Sequence, residues 1–170
     1  MRELREIVDL LEPSILDPAK GLPEDIFLLI SRVTPLVNVD LLIKNEQGQT
    51  LLTWRDDGYC HSGWHVPGGI IRFKETAADR IKAVALTELG AAVDFCGHPL
   101  AINEVIHPSR SVRGHFISLM YECTLISLPD DKLRYEKGVH KPGQWAWHEK
   151  CPSNILSVHE MYRDYIDLKL

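Results

Sequence analysis

Apolar and polar positions alternate along this chain with two periods, and the switch between them marks its elements. Residues 2–12 place charged and apolar side chains at helical spacing until Pro13 stops them. "DPAKGLPED" reads as a loop, and Pro23 opens a second short helix through "EDIFLLISRV". The apolar run "LVNVDLLIK" predicts a strand, "NEQGQ" a turn and "TLLTW" a returning strand. "RDDGYCHSG" is a polar loop leading into "WHVPGG". Residues 76–89 predict a helix, with Ile81, Val84, Ala85 and Leu89 available for a buried face. "VDFCGHPLAINEVIH" and "HFISLMYECTLIS" predict two strands joined across "PSRSVRG". A long polar loop, "LPDDKLRYEKGVHKPG", precedes a short strand "QWAWHE" and a closing helix "PSNILSVHEMYRDYIDL". This order implies an α/β sandwich with a mixed sheet.

Composition narrows the class. A chain of 170 residues, 45% hydrophobic and 25% charged, suits one domain with a substantial core. No apolar run reaches the length of a membrane span, so no membrane association is expected. The charged, amphipathic start "MRELREIVDLLEP" does not read as a signal peptide, which predicts a cytoplasmic protein. The net charge of −5 argues against a broad nucleic-acid surface. A small anion needs only a local group of cations, and Arg55, Arg72, Lys74, Arg110, Arg113, Lys137 and Lys141 are the candidates. Four cysteines without a CxxC pair are expected to be reduced and mostly buried. Cys60, His61 and His65 in "CHSGWH" are a weak zinc candidate, with no second ligand pair at zinc-site spacing.

The stretch "HVPGGIIRFKETAADRIKAVALTELG" carries the chemistry. Its glycines permit backbone conformations that can aim a carbonyl or amide at a ligand. The early amides of the following helix favour an anion. A simple packing turn explains these residues equally well. Their spacing is more specific: Gly69, five residues, Glu75, then a helix ending in "TELG" resembles the Nudix box GX5EX7REUXEEXGU, where U is aliphatic. Gly69, Glu75, Glu88 and Gly90 match. Ala83 stands where the box has Arg, and Val84 and Thr87 replace two of its Glu residues.

Over roughly residues 34 to 165 the chain resembles one branch, the GDP-mannose mannosyl hydrolases, whose box has lost the same acids and ends in the same "ELG". The lead-in "TPLVNVDLLIKNEQGQTLLTWRDDG", then "W-x-VPGG" and "QWAW", carry that resemblance. It implies a Nudix-fold α/β/α sandwich with a mixed β-sheet over residues 34–170, preceded by a helical extension at 1–33. It further implies a hydrolase of a GDP-mannose-like nucleoside-diphosphate sugar, dimeric, using Mg²⁺ or Mn²⁺. In that chemistry water attacks the anomeric carbon and the nucleoside diphosphate leaves. The alternative reading is a Nudix-fold module that binds a nucleotide sugar without turnover.

The resemblance also assigns residues. Three glutamates at positions 84, 87 and 88 would share one helical face and hold several hard cations. With Val84 and Thr87 present, Glu88 and the Gly69 carbonyl are left to hold one ion, completed by water and diphosphate. Arg55 matches a diphosphate-contacting arginine, its planar fork suited to phosphate oxygens; a surface arginine at a strand end is the plain alternative. His140 matches the general base, and an imidazole titrates near neutral pH; a solvated loop histidine explains it as well. A metal-contacting Gln before that histidine is Val139 here, with Glu136, Gln144 or water as substitutes. Asp40 matches a substrate-contacting aspartate, and burial would demand that a ligand or an Arg satisfy it. His107 aligns with another histidine near the site, or caps a strand end. Glu75 has a supporting role, with Arg80 or Lys82 in place of the absent box arginine. The family arginine after "PGG" is Ile70 here, and Arg72, two residues on, is the candidate replacement for contacting substrate.

Overall fold

The computed structural model describes residues 2–56, 58 and 61–168, without the side chain of residue 2. Helix α1 (Arg2–Leu11) and helix α2 (Glu24–Val33) come first, α2 with Pro23 at its N-cap as its position predicts. The apolar run becomes strand β1 (Leu36–Ile43), and β2 (Thr50–Arg55) returns from it. β1 lies inside a five-stranded sheet, antiparallel to β4 (Gly68–Ile70) and parallel to β7 (His115–Leu125). β7 pairs antiparallel with both β5 (Val93–Phe95) and β6 (Ala101–Ile106). A second sheet sets β3 (Gly63–His65) and β8 (Trp145–His148) on either side of β2.

Both faces of β1 are covered, which explains its nearly unbroken apolar run. Val39, Leu41 and Ile43 pack toward helix α3 (Ala77–Val84), against Ile81, Val84, Ala85 and Leu89. Leu42 packs the other way with Met120, Tyr162 and Ile166 from the C-terminal segment, a 3-10 turn (Ser157–Tyr162) running into α4 (Arg163–Asp167). The layers are helix, mixed sheet, helix, as expected. Thr50 Oγ1 and Lys44 Nζ both donate to the Ile166 carbonyl, at 3.2 and 3.1 Å, pinning α4 to the first hairpin.

Three expectations are corrected. β3 and β4, read as loop, are real strands of three residues each around Pro67, too short to show a period. The strand expected across residues 93–107 is two, because the segment through Gly97 and Pro99 breaks from the ladder. The closing helix begins only at Ser157, not near Pro152, and its first part is 3-10. The helix expected at 76–89 is present, capped by Thr76, whose hydroxyl accepts from the Asp79 amide at 3.1 Å. Its last turn, Ala85–Leu89, is π-helical, and Gly90 ends it at φ +63°.

Candidate active site

A cleft of about 490 Å³ opens between the two sheets and the C-terminal segment. β1 contributes Asp40, β2 contributes Thr53 and Arg55, β3 contributes His65, and the Pro-Gly-Gly turn contributes Gly68 and Gly69. Glu88 enters from the π-turn and His159 from the C-terminal segment. Of the sequence candidates, Asp40, Arg55, Gly69, Glu88, Arg110 and Arg113 therefore meet in one place.

Glu88 is half-buried, with Thr53 Oγ1 at 3.0 Å from Oε2 and the Gly68 amide donating to Oε1 at 3.4 Å. Burial pushes its pKa up to about 7, against the lowering effect of those two donors and of Arg55. His65 Nδ1 lies 2.8 Å from the Val66 carbonyl, so that nitrogen carries the hydrogen. His65 Nε2 is then an acceptor, 3.0 Å from Thr53 Oγ1. Thr53 has one hydroxyl proton for two acceptors. That hydroxyl lies between Glu88 Oε2 and His65 Nε2, within hydrogen-bond reach of both.

His65 and His159 are both buried. Burial lowers each pKa to about 3, with the His159 ring adding to the effect on His65 and Arg55 adding to both. His159 Nδ1 accepts from the Val66 amide at 3.3 Å. Both imidazoles are therefore neutral, with their acceptor nitrogens engaged.

Asp40 is buried, and its partners within the chain are Asn38, Tyr162 and Ser118. Its Oδ2 accepts from Asn38 Nδ2 at 2.9 Å, from Tyr162 OH at 2.5 Å and from Ser118 Oγ. Burial raises its pKa against those donors. Gly68 is required beside it: a Cβ there would stand 2.2 Å from Asp40 Oδ1.

The remaining candidates lie elsewhere. Arg72 is exposed, its guanidinium beside Gly21, and its amide donates to Glu75. Glu75 Oε2 receives Arg80 Nε at 2.8 Å and Nη2 at 2.7 Å, so Arg80 replaces the missing box arginine. His107 stands at the end of β6, where its amide donates to Gly114 and its carbonyl accepts from Arg110, the strand-end alternative. His140 is stacked between Trp54 (4.0 Å, 15°) and Tyr135 (4.2 Å, 20°), edge-on to Trp64, and is not among the residues lining the cleft. Cys60, of the zinc candidate, lies outside the described residues.

No group of three His, Cys, Asp or Glu side chains that could hold a metal occurs among the described residues. Val84 is buried in the core, and Thr87 is exposed with its hydroxyl donated back to the Ala83 carbonyl. The donor set suits one cation shared between Glu88 and a diphosphate, since Mg²⁺ accepts few protein ligands, and does not suit a cluster. Sequence reasoning missed Thr53, His159, Ser118 and Tyr162, and named His65 only as a weak zinc candidate. Only the polar interruption of apolar strands at Thr53 and Ser118 could have flagged any of them.

A layered α/β sandwich whose Pro-Gly-Gly turn leads to a helix ending in a cleft carboxylate defines the Nudix-hydrolase fold. Solved structures share it: the MutT protein of Methanosarcina mazei Go1 aligns with a TM-score of 0.59 at 15% identity, over 79% of this chain and 94% of that one. An ADP-ribose pyrophosphatase of Streptococcus suis aligns at 0.54 and 17%, over 78% and 87%. A UDP-X diphosphatase aligns at 0.56 and 15%, over 98% and 89%. The chain belongs to the family of the low-salt glycan biosynthesis protein Agl8 of Haloferax volcanii, with which it is 33% identical over 123 residues, 70% of this chain and 76% of that protein. No family model matches the chain.

Proposed function

We propose that this protein is a hydrolase of a GDP-mannose-like nucleoside-diphosphate sugar, releasing the sugar and the nucleoside diphosphate. One observation carries the reading. Glu88 is the single box carboxylate in the cleft, while Val84 packs into the core where a second metal-binding acid would stand. Attack on phosphorus in a multi-metal site lacks its ligands, which favours the displacement at the anomeric carbon that the resemblance to the mannosyl hydrolases implies. Glu88 and the Gly69 carbonyl would hold one Mg²⁺ or Mn²⁺. That ion would neutralise charge on the departing diphosphate. Arg55 contacts the same diphosphate, and the buried, fully donated-to Asp40 shapes the cleft floor beside Gly68.

A second reading, a nucleotide-sugar binding module without turnover, is favoured by the histidines. Neither His65 nor His159 has an open acceptor nitrogen, and His140 is held in an aromatic stack. In the hydrolase reading His140 must leave that stack to take a proton from water. The glycan-biosynthesis name of the Agl8 relative suits a sugar-carrying ligand in either reading. A homodimer is expected, with the exposed apolar side of α1 as its contact.

Incubation with GDP-mannose and Mg²⁺, followed by chromatography of the products, separates these outcomes. Free mannose and GDP are expected. Mannose 1-phosphate and GMP would replace the proposal with ordinary Nudix chemistry, and binding without products would leave the module reading.

A further inference from the structure

Beside Arg55, the cleft draws two cations from a turn between strands. Ile70, the residue after the Pro-Gly-Gly turn, lines the cleft and carries no charge. Arg72 lies outside it, beside Gly21. Two other arginines line the same cleft: Arg110 and Arg113, from the turn between β6 and β7. Ile70 pairs with Asn38 of β1, and Asn38 pairs with Ser118 of β7. The turn that feeds β7 is thus two strand spacings, about 10 Å, from the strand of Ile70.

The turn is built to hold its arginines in place. The His107 amide donates to the Gly114 carbonyl at 2.7 Å, and the Arg110 amide donates to the His107 carbonyl at 3.0 Å. A Cβ at Gly114 would meet the Arg110 carbonyl oxygen at 2.8 Å, so glycine allows the closure. Arg113 has φ +51°, its amide donates to the buried Ser31 Oγ of α2 at 3.0 Å, and its guanidinium stands 5.9 Å from the Phe27 ring centroid. Cations carried on a fixed support lose little freedom when an anion binds.

We propose that Arg110 and Arg113 grip the diphosphate of the ligand, in place of the cation that β4 does not carry. Their planar forks suit paired phosphate oxygens. The inference rests on the nucleotide-sugar reading for the identity of the ligand, and on the turn alone for its anion.

Titration calorimetry with inorganic pyrophosphate and with GDP, each with Mg²⁺, tests it on the full chain and on Arg110→Gln, Arg110→Gln/Arg113→Gln and Arg72→Gln. Both probes should bind at least ten-fold more weakly to Arg110→Gln, and more weakly again to the double variant. Arg72→Gln should match the parent. Arg110→Gln is the decisive variant, because Arg113 also supports α2 and its loss can perturb folding. Parental pyrophosphate affinity in a folded Arg110→Gln overturns the proposal and leaves the nucleotide-sugar reading standing. Pyrophosphate binding lost in Arg110→Gln, in a parent that ignores GDP and GDP-mannose, upholds the arginines and removes that reading. A parent that binds neither probe removes both.

Discussion

Glu88 sits in an environment that resists its charge, and that has a thermodynamic consequence without any ligand. Its pKa is pushed up to about 7 from an ordinary 4.5. A carboxyl raised in this way holds its proton more tightly in the folded chain than in the unfolded one. The resulting stability is complete below about pH 4.5 and is lost as pH rises through about 7, a difference of roughly 3 kcal/mol. Glu88→Gln keeps the shape and removes the charge. In chelator-treated protein at pH 8, that variant should unfold at higher denaturant concentration than the parent, by on the order of 2 kcal/mol, with the gap closing by pH 5. Equal midpoints at pH 8 would mean the carboxylate is comfortably ionised. The residue itself was legible from its spacing to Gly69 and Glu75. Its hydrogen-bond partners were not, because Thr53 lies 35 positions away on β2 and meets the π-turn only in the folded chain.

Among the elements, α3 and the Pro-Gly-Gly turn fit each other through a glycine. A Cβ on Gly69 would stand 2.8 Å from Val84 Cγ2 and 3.2 Å from Arg80 Cδ. Gly69→Ala should therefore lower stability by roughly 1–3 kcal/mol. Val84→Ala opens space at the same contact, so the double variant should be more stable than the sum of the singles by about 1 kcal/mol in denaturant titrations. Simple additivity would show that the strain is relieved elsewhere. β1 and β2 were readable almost to the residue because burial on both faces writes a long apolar run. β3 and β4 were hidden, since three residues flanking a proline carry no period. The break within residues 93–107 had its marks in Gly97 and Pro99, which the surrounding β-formers outweighed. The helix read at 76–89 has the right length, but no local signal distinguishes its π-turn from a continued α-helix.

For the whole molecule, α1 is the element least tied to the rest. Leu4, Ile7, Val8 and Leu11 form one side of it and are exposed by 68%, 52%, 44% and 36%. A helix of ten residues is marginal alone in water, and these positions repeat at the spacing of a packing face. A chain lacking residues 1–14 should still fold and unfold in one cooperative transition, because the removed side chains cover little of the core. In sedimentation velocity it should run as a monomer where the parent runs as a dimer. A truncated chain that still dimerises would move the contact to another surface. The amphipathic pattern made this helix legible, whereas the exposure of its apolar side among the described residues could be seen only in three dimensions.

The Trp54–His140–Tyr135 stack gives the protein an optical reporter of its own. Indole emission responds to whatever lies against the ring, and Trp54 has one face on the imidazole while lining the cleft. Any event that lifts the 134–144 loop, whether ligand entry or proton uptake, should change the tryptophan spectrum without an added label. The rate of that change would time the loop's release directly.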